Sequence, residues 1–224
     1  MTWLPLLIQH RGATALLDGG RPVPTEIDVR MRDDEVVVAH APEDVVGAVP
    51  LAAFLLGQRQ NGMLVDTVPL LFVDVKEAEA LAPTVAWFAN VYEGNPVVGS
   101  RIRVICKFPR YAGVPRWAIP AALQRAPNVA VLQCDFAVDT PLNQDPASKG
   151  YAYWDDFNGS GWRTAEMVRR AHLAGLRVIL CSDEVYGRAT PIEEMAREWR
   201  GAYGILTDTP KVWSDYLQRG GADG

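Results

Sequence analysis

The sequence predicts an α/β fold closed into a (β/α)8 TIM barrel, and three observations carry that expectation. Short apolar runs rich in Val, Ile and Leu recur along the 224 residues, and from residue 70 onward they alternate with helical patterns. The run Leu70-Leu71-Phe72-Val73 is continuously apolar, as in a strand of a parallel sheet covered on both faces. Eight such strands can be counted, the number that closes a barrel, in a chain slightly shorter than the ~250 residues typical of one. An open, doubly wound sheet is the alternative, but no glycine-rich dinucleotide fingerprint supports it.

The elements follow in order. Residues 6–10 form the first strand. Gly19-Gly20 and Pro22-Val23-Pro24 mark 13–25 as mostly loop. Residues 26–31 and 36–40 are the second and third strands, and the polar turn Arg32-Asp33-Asp34-Glu35 suggests a hairpin-like pair. A short helix follows Pro50, then a fourth strand over 70–76 and a helix over 77–92 containing Pro83. A fifth strand spans 103–108, a helix lies around 117–125, and a sixth strand spans 129–135. Residues 136–161 read as a long polar and aromatic loop. Its Tyr151, Tyr153, Trp154 and Phe157, with Trp162 just beyond, suit either a lid over substrate or packing against the rim. A helix over 163–174 stops at Gly175, and His172 with Arg169 and Arg170 suits its exposed C-terminal end. The seventh strand spans 177–181. Thr190-Pro191-Ile192-Glu193 reads as an N-cap followed by a helix. The eighth strand spans 203–208, with Asp208 a candidate cap for the helix that begins at Pro210. Residues 1–219 are expected to be a single domain and 220–224 a flexible tail.

Bulk properties narrow the function. A net charge of -5 argues against a nucleic-acid partner. No apolar run is long enough for a transmembrane segment, and Met1–Ile8 lacks the basic start of a signal peptide. Cys106, Cys134 and Cys181 fit no metal spacing and read as buried, reduced thiols, which points to the cytoplasm.

The chemistry concentrates near the N-terminus. Two of the three histidines, His10 and His40, end predicted strands, and the acidic pair Glu26-x-Asp28 lies between them. Strand side chains alternate, so Glu26 and Asp28 share a face, as do Asp74 and Lys76. Three hard carboxylates suit one divalent cation, Mg2+ or Ca2+, while Lys76 and Arg11 supply fixed positive charge for a phosphate. Two histidines can divide the proton transfers of a displacement at phosphorus. Lys107 is either a further phosphate contact or the solvated last residue of its strand. Polar residues at the other strand ends, Asp135, Asp183 and Asp208, would line the same barrel mouth.

His10-Arg11-Gly12, Glu26-Ile27-Asp28, His40, Asp74-Val75-Lys76 and Gly204-Ile205-Leu206-Thr207-Asp208-Thr209-Pro210 together resemble the glycerophosphodiester phosphodiesterase family. That family belongs to the phospholipase-C-like phosphodiesterases, which are TIM barrels. The resemblance implies that His10 and His40 are catalytic, that Glu26, Asp28 and Asp74 ligate metal, and that Arg11 and Lys76 contact phosphate. Asp-x-Lys at 74–76 is closer to the sphingomyelinase-D-like phospholipases of the same superfamily, and the family's insertion after the second histidine is missing. The expected activity is therefore cleavage, by hydrolysis or cyclisation, of a small-molecule or lysolipid phosphodiester in lipid metabolism. The rival expectations are an inactive barrel that binds phosphate ligands or acts as a scaffold, and another metal-dependent barrel enzyme such as an aldolase or isomerase.

Overall fold

A computed structural model describes residues 3–12, 23–60, 70–94, 103–108, 125–135, 146–156 and 159–220, with backbone alone for 56–60, 133–135 and 146. It divides into two compact units, one of residues 11–132 and a split one of 1–10 with 133–224. Strand β1 (Leu6–Gln9) belongs to the split unit.

The 11–132 unit is built on β2 (Thr25–Arg32), β3 (Glu35–Val38), β4 (Val49–Pro50), helix α1 (Leu51–Gln60), β5 (Leu70–Val75), helix α2 (Ala78–Gly94) and β6 (Arg103–Phe108). β2, β5 and β6 pair in parallel. All six residues of β5 are buried, as its unbroken apolar run predicts. β3 turns back antiparallel on β2, and β4 on β3. The hairpin expected at 32–35 is therefore present, with Asp33 at φ 52° supplying the left-handed residue its tight turn requires. Residues 36–40 are thus a hairpin arm and not one of the parallel barrel strands. The predicted helix around 117–125 lies outside the described residues except at Arg125.

β7 (Val129–Asp135) crosses the boundary, and its last residues pair with β8 (Tyr151–Trp154). β8, β9 (Arg177–Cys181), β10 (Gly204–Thr207) and β1 continue the parallel ladder of the split unit. Helices α3 (Ala165–Leu173), α4 (Ile192–Glu198) and α5 (Pro210–Gln218) alternate with them. β8 corrects the expectation of one long loop from 136 to 161. All four of its residues are buried, so Tyr151, Tyr153 and Trp154 are core and form no lid. Trp154 lies 5.3 Å from Trp162, ring to ring, and Trp199 stacks on Trp213, so four indoles fill one apolar cluster. Phe157 and residues 136–145 lie outside the described residues.

Gly175 follows α3 at φ 78°, as the sequence predicts, and Thr164, not singled out in the sequence, caps the helix by accepting from the Met167 amide. The other two predicted caps are not made. The N-cap of α4 is Pro191, because the Thr190 hydroxyl donates to Asp183 instead, at 2.6 Å. Asp208 does not cap α5, whose N-cap is Thr209. Cys106 and Cys181 are buried thiols outside any disulfide, and burial pushes the Cys106 thiol up to about 12. The Cys134 side chain lies outside the description. Among the described residues no helix is long and apolar enough to cross a membrane.

Candidate active site

Sheet register assembles the acidic site of the 11–132 unit. Asp28 on β2 is level with Asp74 on β5, and Asp74 is level with Lys107 on β6. Neighbouring strands lie about 4.8 Å apart, so three consecutive strands present Asp, Asp and Lys in one row. Glu26, two residues before Asp28, shares its face. Carboxylate oxygens of Glu26, Asp28 and Asp74 all lie within 4.8 Å of one another, and all three residues are buried.

Two ammonium groups sit among them. Lys76 Nζ lies 2.7 Å from Asp28 Oδ1 and 2.6 Å from Asp74 Oδ2, and Lys107 Nζ donates to Asp74 Oδ2 at 2.8 Å. Of the two readings for Lys107, the solvated strand end is excluded by its 9% exposure. Burial alone would neutralise Asp74, but Lys107 and Lys76 outweigh it and hold the carboxyl below its ordinary range. Those two carboxylates keep Lys76 charged, against its own burial. For Glu26 the Arg11 amide and the Lys76 charge act in the same direction, toward the charged form, but do not outweigh burial. Burial, then the Asp28 and Asp74 charges, push its carboxyl well above the usual range. Two like charges 4 Å apart repel by about 4 kcal/mol even at an effective dielectric of 20. Ionised together, the three carboxylates would exceed the two ammonium groups by one charge, and without a further cation Glu26 keeps its proton. Asp74 Oδ1 is buried and has no hydrogen-bond partner. Hard oxygen donors, their spacing and that unsatisfied oxygen all fit a divalent cation.

The same carboxylates order the polar groups beside them. Arg11 has left-handed backbone at φ 47°, a conformation unfavourable for a residue with a side chain. Its amide donates to Glu26 Oε2 at 2.7 Å, and the Gly12 amide donates to the Glu26 carbonyl at 3.0 Å, so Glu26 fixes the segment. The Arg11 guanidinium Nη2 donates to His40 Nε2 at 2.6 Å. His40 Nε2 must then be the acceptor nitrogen, and Nδ1–H donates to Asp28 Oδ2 at 3.0 Å. Arg30 Nε anchors the His40 carbonyl at 2.9 Å.

In the split unit, the end of β1 carries His10. Its Nδ1 lies 2.8 Å from Asp208 Oδ1, at the end of β10, and its amide donates to the Thr207 carbonyl. Sequence reasoning missed this role of Asp208; the signal available was its place at a strand end, like Asp74. Asp183 is held by Arg163 at 2.6 Å, Arg188 at 2.9 Å and the Thr190 hydroxyl, a knot that ties the turn after β9 to the start of α3. The Asp135 side chain lies outside the description.

No family model and no curated protein matches the sequence. Solved structures do. A glycerophosphodiester phosphodiesterase from Parabacteroides distasonis ATCC 8503 is similar at TM-score 0.60 and 14% identity, over 98% of this chain and 99% of that one. Another, from Agrobacterium tumefaciens str. C58, gives TM-score 0.51 and 14% identity, over 95% and 100%. The chain has the TIM-barrel fold of these two enzymes. The eight parallel strands of that barrel are β1, β2 and β5 to β10, with the β3–β4 hairpin as an addition.

Proposed function

We propose that this barrel is a divalent-cation-dependent phosphodiesterase acting on a glycerophosphodiester- or lysophospholipid-like substrate, with His10 and His40 as the proton carriers. The observation that carries the reading is the buried Glu26–Asp28–Asp74 cluster beside Lys76, Arg11 and His40. The fold shared with two solved glycerophosphodiester phosphodiesterases supports it.

Glu26, Asp28 and Asp74 would hold Mg2+ or Ca2+. A bound cation would supply Lewis-acid stabilisation of charge on the phosphoryl oxygens. Lys76 has three N–H donors, and Asp28 and Asp74 take two of them, so one remains for a phosphate oxygen. Lys107 reinforces the positive charge there. Arg11 brings a planar fork suited to two phosphate oxygens. When a phosphate takes that guanidinium, His40 Nε2 loses its donor and can accept or give a proton. Asp28 meanwhile holds the Nδ1–H side of the ring. A new P–O bond forms from water or from a neighbouring hydroxyl of the substrate, and the leaving P–O bond breaks. One histidine takes the proton of the nucleophile and the other returns one to the leaving oxygen. Attack by water gives a monoester, and attack by the substrate hydroxyl gives a cyclic phosphate.

The test is turnover of a generic phosphodiester by His10→Ala and His40→Ala. Each is expected to lower kcat by about 10²–10⁴-fold, the usual contribution of a positioned proton carrier. Undiminished turnover in either variant would remove that histidine from the chemistry.

A further inference from the structure

We infer that Glu184 is a positioning residue for His10, acting through the Thr207-Asp208-Thr209 segment; the inference rests on the catalytic assignment of His10 made above. His10 and Asp208 meet at 2.8 Å, yet the Asp208 side chain is 44% exposed. An exposed aspartate at the end of a strand keeps its carboxylate within reach of a partner only while the backbone that carries it is held in place. Here both flanking residues are tied to a single carboxylate. Thr207 Oγ1 donates to Glu184 Oε1, and Thr209 Oγ1 donates to the same oxygen at 3.4 Å. Ser182 Oγ donates to the other oxygen, Oε2. The Thr209 amide also donates to Thr207 Oγ1 at 3.0 Å, which closes the turn around Asp208.

Two features set this arrangement apart from incidental polar packing. Thr209 is the N-cap of α5, where a threonine hydroxyl ordinarily accepts a backbone amide of the first turn. No such bond forms, because the hydroxyl is turned to Glu184. Asp208, the other side chain able to cap that helix, is used on His10. The helix start gives up both caps, and both groups serve the geometry at His10. Thr207 and Ser182 are moreover fully buried, and each hydroxyl finds a carboxylate acceptor in Glu184.

The consequence is chemical. An aspartate that accepts from Nδ1–H fixes the tautomer of His10 and leaves Nε2 as the atom that exchanges a proton. If Glu184 is removed, Asp208 is no longer held and the ring populates both tautomers and more than one orientation. Glu184 touches neither substrate nor the reacting atoms in this scheme; it acts through Asp208.

The experiment reads the imidazole nitrogens of His10 by long-range 1H–15N NMR in the full chain, where only three histidines need assignment. Wild type should show a single Nδ1–H tautomer. Glu184→Ala should shift the two nitrogen signals toward an averaged mixture and lower kcat on a phosphodiester about tenfold, with KM within about twofold, since substrate contacts are unchanged. Should that variant fail to fold, Thr209→Val removes one arm at an exposed position and should produce a smaller shift in the same direction. Unchanged His10 signals in a folded Glu184→Ala or Thr209→Val protein would overturn the inference. The spectrum is independent of turnover. Signals that respond to Glu184→Ala in a protein that cleaves no diester would leave the positioning intact and defeat the proposed activity.

Discussion

Glu26 is the residue on which the cation reading can be tested without turnover. In the folded protein its carboxyl is held well above its ordinary value of 4.5 by burial and by Asp28 and Asp74. The unfolded chain releases that proton near 4.5, so above this pH the folded state binds more protons than the unfolded one. Stability without a divalent cation must then fall as pH rises from there toward the folded-state value. Added Mg2+ or Ca2+ should reverse the loss, because it binds the native state alone. Glu26→Gln should flatten the same limb and abolish the cation-dependent rise in Tm. Thermal unfolding across pH, with cation and with chelator, checks both expectations. A cation response that survives in Glu26→Gln would show that the ion binds elsewhere. The three carboxylates and Lys76 were legible from period-two spacing alone, because an alternating strand fixes which residues share a face. The roles of Lys107 and Asp208 were not. Lys107 depends on strand register, and Asp208 on a partner 198 positions away in the chain.

At the scale of elements, the instructive strand is β8. Tyr-Ala-Tyr-Trp is too short for a periodicity to emerge and sits in a stretch of polar and aromatic residues, so it reads as loop. The available sign was an apolar run closed by the acidic Asp155-Asp156, just as the run at 177–181 is closed by Ser182-Asp183-Glu184. Packing decides the matter. Trp154 is 1% exposed and contributes to a cluster with Trp162, Trp199 and Trp213. Trp154→Ala should therefore cost about 3–5 kcal/mol of unfolding free energy, the range for deletion of a large buried aromatic. Denaturant titration followed by fluorescence measures it. A loss under about 1 kcal/mol, the scale of a surface substitution, would restore the lid reading. Strands such as β5 needed no such correction, because six consecutive buried residues leave a pattern that only a doubly covered strand explains. The hairpin β2–β3 is legible as a hairpin, but its antiparallel second arm has the same apolar run as a barrel strand.

For the molecule as a whole, fold class was readable from alternation, and similarity to two solved barrels over at least 95% of the chain bears it out. Substrate choice was not readable, because it depends on what covers the strand ends. After His40 the chain makes only a short 3-10 turn over Pro42–Gly47 and the two residues of β4 before α1 begins. Val46 and Val49 lie exposed on that brief connection. The proposed activity is read most directly by 31P NMR of a glycerophosphodiester or lysophospholipid incubated with the protein, with Mg2+ or Ca2+ and with chelator. With cation present, the diester signal should convert to that of a monoester or cyclic phosphate. The conversion should stop in chelator and in His40→Ala. An unchanged diester signal with cation present, or conversion that continues in chelator, would contradict the proposal.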